Sequence, residues 1–306
     1  MAQLVSSALE WRAMAYFLGI DAGGSHCRSR LADDTGRILG EAEGGPANTR
    51  VGVELVHARI SEIAHAAIAQ AKLDADAAAT IRAGMGIAGI GRTGVREALE
   101  ALPFPFASVA YSTDAAIANL GSHLGQDGAT LIIGTGSVAM VNAGGRSFTI
   151  GGYGFPISDE GSGAALGLSA VRHALRALDG RTEPTALSRA ITADFAHDTA
   201  QVVAWMDAAA PGDYAAFAPL VMDYAENGDT IARSIVEDAA SHIERFIETI
   251  FARGAERCAL AGGLSGRIRP WLRARTSEML IAPQADPLDG ALLLAGMPAS
   301  AVPTRR

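Results

Sequence analysis

The fold is decided by two similar stretches of sequence, YFLGIDAGGS at residues 16–25 and ATLIIGTGS at residues 129–137. Each is an apolar run that ends in a turn of small residues carrying a hydroxyl, and each leads into a second apolar run. A further turn, at residues 34–36 or 144–145, then starts a third strand. The sequence therefore predicts two three-stranded meanders in a duplicated chain whose halves face a central cleft.

The segments after each meander complete the repeat. Apolar spacing and turn residues predict the order βββαβαβα in the first half, and the same order begins again at Ala129. The predicted fold class is therefore α/β, with two facing domains. After the meanders, the predicted elements are helix 55–68, strand 81–87, helix 95–102, strand 107–111, a helix from 114, helix 164–178, an alanine-rich helical insert at 182–228, helix 231–250, strand 258–260 and a closing helix 286–295.

The repeat also predicts the domain boundaries. We expect residues 16–113 and the C-terminal helix at 286–298 to form the N-terminal domain, and residues 114–285 to form the C-terminal domain. Residues 1–15 are predicted to be a leader outside the core. This leader does not resemble a signal peptide, because Glu10 interrupts what would have to be its apolar region.

Composition limits the possible classes of function. With 306 residues, 49% of them hydrophobic and 19% charged, the chain is predicted to fold as two domains. Its formal net charge of -8 argues against nucleic acid as a partner. The sequence has no uncharged apolar run of about 18 residues, so we expect no membrane span. Two distant cysteines, Cys27 and Cys258, exclude a disulfide framework and favour a cytoplasmic protein.

The chain contains a single lysine, Lys72. A Walker A loop, a protein kinase and a pyridoxal enzyme each need a lysine in a defined motif, and Lys72 lies in none of these motifs. If the protein binds a nucleotide, backbone amides, hydroxyls and a metal ion must therefore hold the phosphates.

The two small-residue turns are the candidate phosphate sites. The first is Gly23-Gly24-Ser25 and the second is Gly134-Thr135-Gly136-Ser137. Glycine lets the backbone approach a phosphate closely, and successive amides in such a turn bind anions. For either turn alone, an ordinary hairpin that needs glycine for positive φ is the alternative. The occurrence of both turns in repeated contexts favours phosphate binding.

Four other side chains are candidates for a role in the cleft. Asp114 follows a strand at the junction of the halves, where it could accept a proton from a sugar hydroxyl or could cap the next helix. Asp159 precedes a helix in a glycine-rich passage, and capping is again the alternative. Asn48 could be a turn asparagine, and Tyr153 could be a loop anchor or a ring that packs on a sugar.

Residues 84–89, GMGIAG, match the dinucleotide-binding pattern G-x-G-x-x-G. Here Gly84 and Gly86 lie inside the predicted strand rather than after it, and no acidic residue follows at the expected distance. The sequence therefore argues against dinucleotide binding and indicates that the glycines of the strand and of the loop at 88–91 let something approach the backbone closely.

Four segments carry a resemblance to a known family: 112–116 (STDAA), 134–137 (GTGS), 151–154 (GGYG) and 159–162 (DEGS). Their order and spacing resemble the N-acetylglucosamine kinases of the BadF/BadG/BcrA/BcrD ATPase group, within the sugar kinase, heat-shock protein 70 and actin superfamily. The resemblance covers residues 16–295. It implies two ribonuclease-H-like domains, ATP with Mg²⁺ between them, transfer of phosphate to the 6-hydroxyl of N-acetylglucosamine, and a homodimer.

The resemblance also implies roles for individual residues. It makes Asp114 the catalytic base and a sugar-binding residue, and it places Asp21 near the metal, through water. The phosphates would be held by Gly23, Gly24 and Ser25 and by Gly134, Thr135, Gly136 and Ser137, with Gly262 and Gly263 at the adenosine. The remaining implied sugar-binding residues are Asn48, Thr135, Gly152, Tyr153 and Asp159.

Four positions depart from the family pattern. Ala22 stands where glycine is usual and Ser25 where threonine is usual, but small size and a hydroxyl persist, so we expect phosphate binding to be retained. His26 replaces a common basic residue, which leaves the local charge open. Tyr153 stands at the place of the usual tryptophan, so sugar preference is open and glucosamine is the alternative acceptor.

Two further alternatives share the fold. An ATPase that activates a 2-hydroxyacyl-CoA dehydratase carries an iron-sulfur cluster held by cysteines, but Cys27 and Cys258 lie in predicted strands. A regulatory protein that senses sugar without turnover is disfavoured, because Asp114 and both phosphate turns are intact.

Overall fold

The computed structural model describes residues 15–24, 26–73 and 75–302. Ser25, and all of the predicted leader except Ala15, lie outside the described residues. The first half contains β1 (Tyr16–Ala22), β2 (Cys27–Asp33), β3 (Ile38–Gly44), α1 (Val53–Ala71), α2 (Ala75–Ala79), β4 (Arg82–Ile87), α3 (Val95–Glu100), β5 (Ser108–Ser112) and α4 (Asp114–His123).

The second half repeats this order with additional helices. It contains β6 (Gly128–Ile133), β7 (Ser137–Ala143), β8 (Arg146–Gly151), α5 (Gly163–Leu178), α6 (Ala186–Ala193), α7 (Thr199–Met206), α8 (Pro211–Ala215), α9 (Ala218–Glu226), α10 (Thr230–Ala252), β9 (Cys258–Ala261), α11 (Ser265–Ile268), α12 (Ala274–Ser277), β10 (Leu280–Ile281) and α13 (Pro287–Leu294). Helices α6 to α9 occupy the segment where the alanine-rich composition predicts a helical insert.

The strands form two five-stranded sheets with the same topology. Sheet A has the order β3-β2-β1-β4-β5, and sheet B has the order β10-β9-β6-β7-β8. In both sheets the first strand of the meander pairs antiparallel with the second and parallel with the strand that follows the helices. The predicted duplication is therefore confirmed. Strand β10 has only two residues, too few for a pattern of alternation to predict it.

Each sheet has its own apolar core. Sheet A packs against α1 through fully buried side chains such as Leu18 and Ile60, and sheet B packs against α5 and α10 through side chains such as Leu131 and Ile243. The isoleucine spacing of α10 predicted its buried face. Leu55, expected on the buried face of α1, is instead 42% exposed, because Val56 is the residue that points inward there.

Helices α4 and α13 lie between the two halves. The backbone of α13 comes so close to sheet A that a Cβ on Gly19 or Gly84 would collide with it, while Gly86 makes room for Ile117 of α4. The glycines of the GMGIAG stretch therefore admit two helices, as the sequence indicated. On its other side α4 contacts sheet B, where Thr130 Oγ1 donates to Asn119 Oδ1 at 2.9 Å.

A buried ionic network fixes the start of α13 on sheet A. The guanidinium of Arg30 on β2 donates to both carboxylate oxygens of Asp286 at 3.0 Å, to Glu41 at 2.7 Å, and to Asp289. Asp286 and Asp289 also form the capping box of α13. The C-terminal helix is thus held to the first sheet by both packing and charge. Among the described residues, no helix has the length and apolarity needed to cross a membrane.

Candidate functional site

The first small-residue turn connects β1 to β2. The N–H of Gly23 donates to the carbonyl oxygen of His26 at 2.9 Å and closes the turn, while the N–H of Ala47 donates to the carbonyl oxygen of Gly23 at 3.1 Å. Gly24 is exposed, and the nearest described atom to a Cβ placed there is Nδ2 of Asn48, at 4.0 Å. The turn therefore presents open backbone beside Asn48.

Asn48 also has the local role that a turn asparagine would have. Its Oδ1 accepts a hydrogen bond from the N–H of Arg50 at 2.9 Å and caps the short helical turn Thr49–Val51. Among the described residues its Nδ2 makes no hydrogen bond, and it points to the first turn. Asn48 can therefore keep its capping bond and still donate to a ligand.

Asp21 lies near the end of β1, and Arg28 lies opposite it on β2. Arg28 Nη2 donates to Asp21 Oδ2 at 2.6 Å, and the Asp21 side chain is 15% exposed. The sequence pattern did not identify Arg28 as the partner of the Asp21 carboxylate. Strand register could have found it, because residues at equal distances from a tight turn face each other across an antiparallel pair.

Asp114 begins α4 without capping it. The cap is Thr113, whose Oγ1 accepts from the N–H of Ala116 at 3.1 Å, so the capping alternative for Asp114 does not hold. Burial, together with the negative charge of nearby Asp21, raises the pKa of the Asp114 carboxyl above its ordinary value. The structure thus brings these two carboxyls into one electrostatic site.

The second small-residue turn connects β6 to β7 and is bonded to the start of α5. The N–H of Gly134 donates to the carbonyl oxygen of Gly136 at 2.9 Å. The carbonyl oxygens of Gly134 and Thr135 accept from the amides of Gly163 at 2.8 Å and Ala164 at 3.1 Å. Thr135 is exposed at the tip. The turn is therefore rigidly held, with an exposed hydroxyl beside a helix N-terminus, a position that favours anions.

Ser137 is buried at the other end of this turn, with 2% of its surface exposed. Its Oγ donates to the carbonyl oxygen of Glu160 at 2.8 Å and so joins the turn to the passage before α5. A phosphate in this turn would therefore meet the backbone of Ser137 rather than its hydroxyl.

Residues 151–162, here called the glycine-rich loop, cover the second turn. Asp159 is buried and has a φ of 70°, in the left-handed region that aspartate tolerates. A Cβ at Gly136 would lie 2.9 Å from Asp159 Oδ2, so the carboxylate occupies the space that glycine leaves. Burial raises the pKa of Asp159, while the amides of Ser137 and Phe155 and the charge of Arg50 lower it. Arg50 lies two residues after Asn48 in the first half, and its charge is near enough to lower the pKa of Asp159 in the second half.

The tip of the glycine-rich loop is open to solvent. Gly152 has a φ of 75°, and Tyr153 is 83% exposed. Tyr153 is therefore not a loop anchor, and its ring is accessible to a ligand. The large side chain of the loop that does pack inward is Phe155, which contacts Tyr214 with ring centroids 5.0 Å apart.

Gly262 and Gly263 follow β9. Gly262 has a φ of 91°, and a Cβ there would collide with the backbone of Ile133. The N–H of Leu264 donates to the carbonyl oxygen of Ile133 at 3.0 Å, and Gly263 is exposed. This loop therefore lies against the strand that leads into the second turn.

The candidate cofactor positions follow from these contacts. Among the residues that the structure describes, no three His, Cys, Asp or Glu side chains cluster as a self-contained metal site. Mg²⁺ in kinases is usually bound by one or two carboxylates and by the nucleotide phosphates. Asp21, with Asp114 nearby, supplies hard oxygen ligands that fit this mode.

The cysteines do not fit the dehydratase-activator alternative. Cys27 and Cys258 are both fully buried, and burial raises the pKa of each thiol to about 12. A cluster shared between subunits needs accessible thiolates, so neither cysteine is suitably placed to hold one.

Comparisons with known proteins identify the family of this chain. The family model of the BadF/BadG/BcrA/BcrD ATPase family matches residues 18–295. The chain is similar to glucosamine kinase GspK of Vibrio cholerae serotype O1, with 38% identity over 93% of this chain and 97% of that protein. It is also similar to an N-acetylmuramic acid/N-acetylglucosamine kinase of Clostridium acetobutylicum, with 28% identity over 75% of this chain and 77% of that protein.

The fold has a solved counterpart in a Chromobacterium violaceum protein assigned as an N-acetylglucosamine kinase. Its crystal structure matches with a TM-score of 0.87 and 33% identity, and the match covers 92% of this chain and 99% of that chain. The predicted α/β fold of two ribonuclease-H-like domains is thereby confirmed. On the extent of the family match and of these similarities, the chain belongs to the BadF/BadG/BcrA/BcrD ATPase family.

Proposed function

We propose that this protein is an ATP-dependent amino-sugar kinase, a phosphotransferase that acts on the 6-hydroxyl of its sugar. One observation carries the proposal. Asp114 is not the N-cap of α4 but lies at its start, where burial and the nearby charge of Asp21 raise the pKa of its carboxyl. The similarity to sugar kinases over more than nine tenths of the chain supports the same activity.

Each group of site residues is assigned one role in phosphoryl transfer. Asp114 would accept the proton of the attacking hydroxyl, and its raised pKa brings the carboxyl closer to the basicity that this step needs. The amides of the first and second turns would hold the phosphates, and Gly262 and Gly263 would border the adenosine. Mg²⁺, held by Asp21 through water, supplies positive charge at the phosphates when it is bound.

The sugar would lie between the two halves. We place Asn48 from the first half against Thr135, Gly152, Tyr153 and Asp159 from the second. Asp159 is buried and its carboxylate is held against Gly136, so it can accept a hydrogen bond from a sugar hydroxyl in a defined direction. The exposed ring of Tyr153 offers an apolar face to the sugar.

N-acetylglucosamine is the proposed acceptor, and glucosamine is the second candidate. The Chromobacterium violaceum structure favours the first sugar, and the 38% identity to the Vibrio cholerae glucosamine kinase favours the second. The two acceptors differ only in the acyl group on nitrogen. Tyr153 stands where the family usually has tryptophan, and it is the departure that leaves the sugar preference open.

A coupled assay of ADP release tests the proposal. N-acetylglucosamine, glucosamine, N-acetylmuramic acid and glucose are each supplied with ATP and Mg²⁺, and the product is checked for phosphate at the 6-position. We expect turnover with one or both of the first two sugars and a dependence on Mg²⁺. Absence of turnover with every amino sugar, in protein shown to bind ATP, would contradict the proposal.

We also infer that the enzyme is a homodimer that works in the cytoplasm. The family resemblance supports the dimer, and two buried, unpaired cysteines suit a reducing compartment. Size-exclusion chromatography with light scattering should give twice the mass of the 306-residue chain, and a monomeric mass at micromolar concentration would refute the dimer.

A further inference from the structure

Five aromatic rings connect the helical insert to the glycine-rich loop. Phe195 after α6, Trp205 on α7 and Phe217 before α9 contact one another, with ring centroids 5.4 to 6.3 Å apart. Trp205 also contacts Tyr214 of α8 at 4.8 Å, and Tyr214 contacts Phe155 of the loop at 5.0 Å. The rings thus form a continuous path from the insert to the loop, here called the aromatic path.

Phe155 is the main apolar attachment of this part of the loop. Its neighbours Tyr153 and Ile157 are 83% and 91% exposed, and Pro156 is exposed as well. Phe155 is half-buried, and Tyr214, on which it rests, is 6% exposed. Because Phe155 packs inward while its neighbours are exposed, it fixes the loop at that point.

The attachment leads directly to Asp159. The N–H of Ser158 donates to the carbonyl oxygen of Gly154 at 2.9 Å and closes a turn that contains Phe155 and leads into Asp159. Asp159 in turn fills the space beside Gly136 in the second turn. A shift of Phe155 would therefore displace the turn that leads into Asp159 and change where the carboxylate lies.

The insert itself is fixed firmly enough to act as a support. A Cβ on Gly167 of α5 would collide with the carbonyl oxygen of Tyr214, and Gly163 lies against Ala215 and Ala218. The backbone of α8 therefore rests directly on α5. Because the start of α5 is bonded to the second turn, α8 has little freedom to move relative to the site.

We propose that the helical insert supports the glycine-rich loop through the contact of Tyr214 with Phe155, so that Tyr214 is a positioning residue for Asp159. This inference rests on the proposed function, because Asp159 is assigned there to the sugar. Tyr214 touches neither reactant. Its contribution is to hold the loop in the conformation that binds the sugar, which reduces the ordering cost of binding.

The test combines exchange and kinetic measurements on Tyr214→Leu. Hydrogen–deuterium exchange of peptides covering residues 151–162 should be faster than in the wild type without any ligand present. The KM for the sugar should rise about tenfold, while the KM for ATP changes less than about twofold, because misplacing one wall of a site weakens the ligand on that wall. Tyr214→Phe, which keeps the ring, should restore both properties.

Tyr224→Leu is the matched control, because Tyr224 is a half-buried aromatic residue of the same insert outside the aromatic path. It should leave loop exchange and the sugar KM unchanged. If Tyr214→Leu does not fold, Phe155→Leu breaks the same contact from the loop side.

Two results would overturn the inference. One is unchanged loop exchange in Tyr214→Leu, and the other is an equal rise of the KM for sugar and for ATP, which indicates general destabilisation. If the wild type phosphorylates no amino sugar, the proposed function fails. In that case faster exchange in Tyr214→Leu would still support the insert as the anchor of the loop, and unchanged exchange would still refute it.

Discussion

At the scale of single residues, two carboxyls and their neighbours define the chemistry of the cleft. Thr113 is the N-cap of α4, so Asp114 is not needed as the cap, and we propose it as the base. Arg28 balances the charge of Asp21, which in turn influences Asp114. Thr113 therefore stabilises the start of the helix, while the neighbouring residue Asp114 is the one proposed for proton transfer.

Replacing Asp114 by alanine should lower kcat by about 100-fold or more, because a general base contributes that much to proton transfer. The affinity for ATP should change little, since the nucleotide is held by the turns. Steady-state kinetics and ATP titration measure the two effects. The control is Asp207→Ala, an exposed aspartate at the end of α7, which should retain full activity. Near-normal turnover of Asp114→Ala would remove this residue from the catalytic role.

At the scale of secondary-structure elements, glycines at the contact let the backbones of α4 and α13 pack closely against each other. Gly121 of α4 faces the backbone of Asp286, and Gly290 of α13 faces the backbone of Ile117 and Gly121. The two helices therefore approach more closely than helices with larger residues at the contact could. Since Asp114 begins α4, the fit of α13 also determines where the Asp114 carboxyl lies.

Gly290→Ala should destabilise the protein by about 1 to 3 kcal/mol, because the new Cβ would overlap backbone atoms that cannot rotate away. Urea unfolding measures the loss. Gly266→Ala on α11 is the matched control, since a Cβ there meets open space and alanine favours helix, which should leave stability equal or slightly higher. Equal stability of Gly290→Ala and the wild type would show that the helices can separate at no cost.

At the scale of the whole molecule, buried polar groups join segments that are far apart in the chain. Arg30 bonds to Asp286 and Asp289, more than 250 residues later, at the place where α13 meets sheet A. His123, fully buried at the end of α4, makes an Nε2 hydrogen bond of 2.9 Å to the carbonyl oxygen of Ala129 in sheet B. These groups join the two halves at their junction.

Arg30→Met should lower the free energy of unfolding by about 3 to 5 kcal/mol, because it leaves the carboxylates of Asp286 and Asp289 without their buried cation. Chemical denaturation checks the size of the loss. Arg96→Met breaks an exposed pair with Glu100 and should change stability by less than about 1 kcal/mol. A small effect at Arg30 would mean that water replaces the guanidinium.

Stability should also fall as the pH falls below about 6.5, the ordinary pKa of histidine. Burial lowers the pKa of His123 in the folded state, and its Nδ1 has no partner, so the unfolded chain binds the proton more readily. Acid therefore favours unfolding. Thermal unfolding at about pH 7.5 and 5.5 should show a smaller difference in His123→Gln than in the wild type. His65→Gln, at an exposed position on α1, should keep the wild-type difference.

The sequence by itself determined the duplicated topology, the two small-residue turns and a close approach to the GMGIAG strand, while the structure showed that helices make it. These features depend on local rules, because alternation of apolar residues specifies a strand and glycine marks positions where a side chain would collide. The family resemblance added the identity of the candidate site residues. Features shorter than a repeat of the pattern, such as the two residues of β10, could not be predicted in this way.

Tertiary structure alone decided which side chains meet. The pairing of Asp21 with Arg28 depends on strand register. The effect of the Arg50 charge on the pKa of Asp159 depends on how closely the two halves approach. The aromatic path depends on the packing of four insert helices. The physical reason is that contacts between distant segments depend on how whole elements pack, and a linear pattern records only the preference of each element for burial.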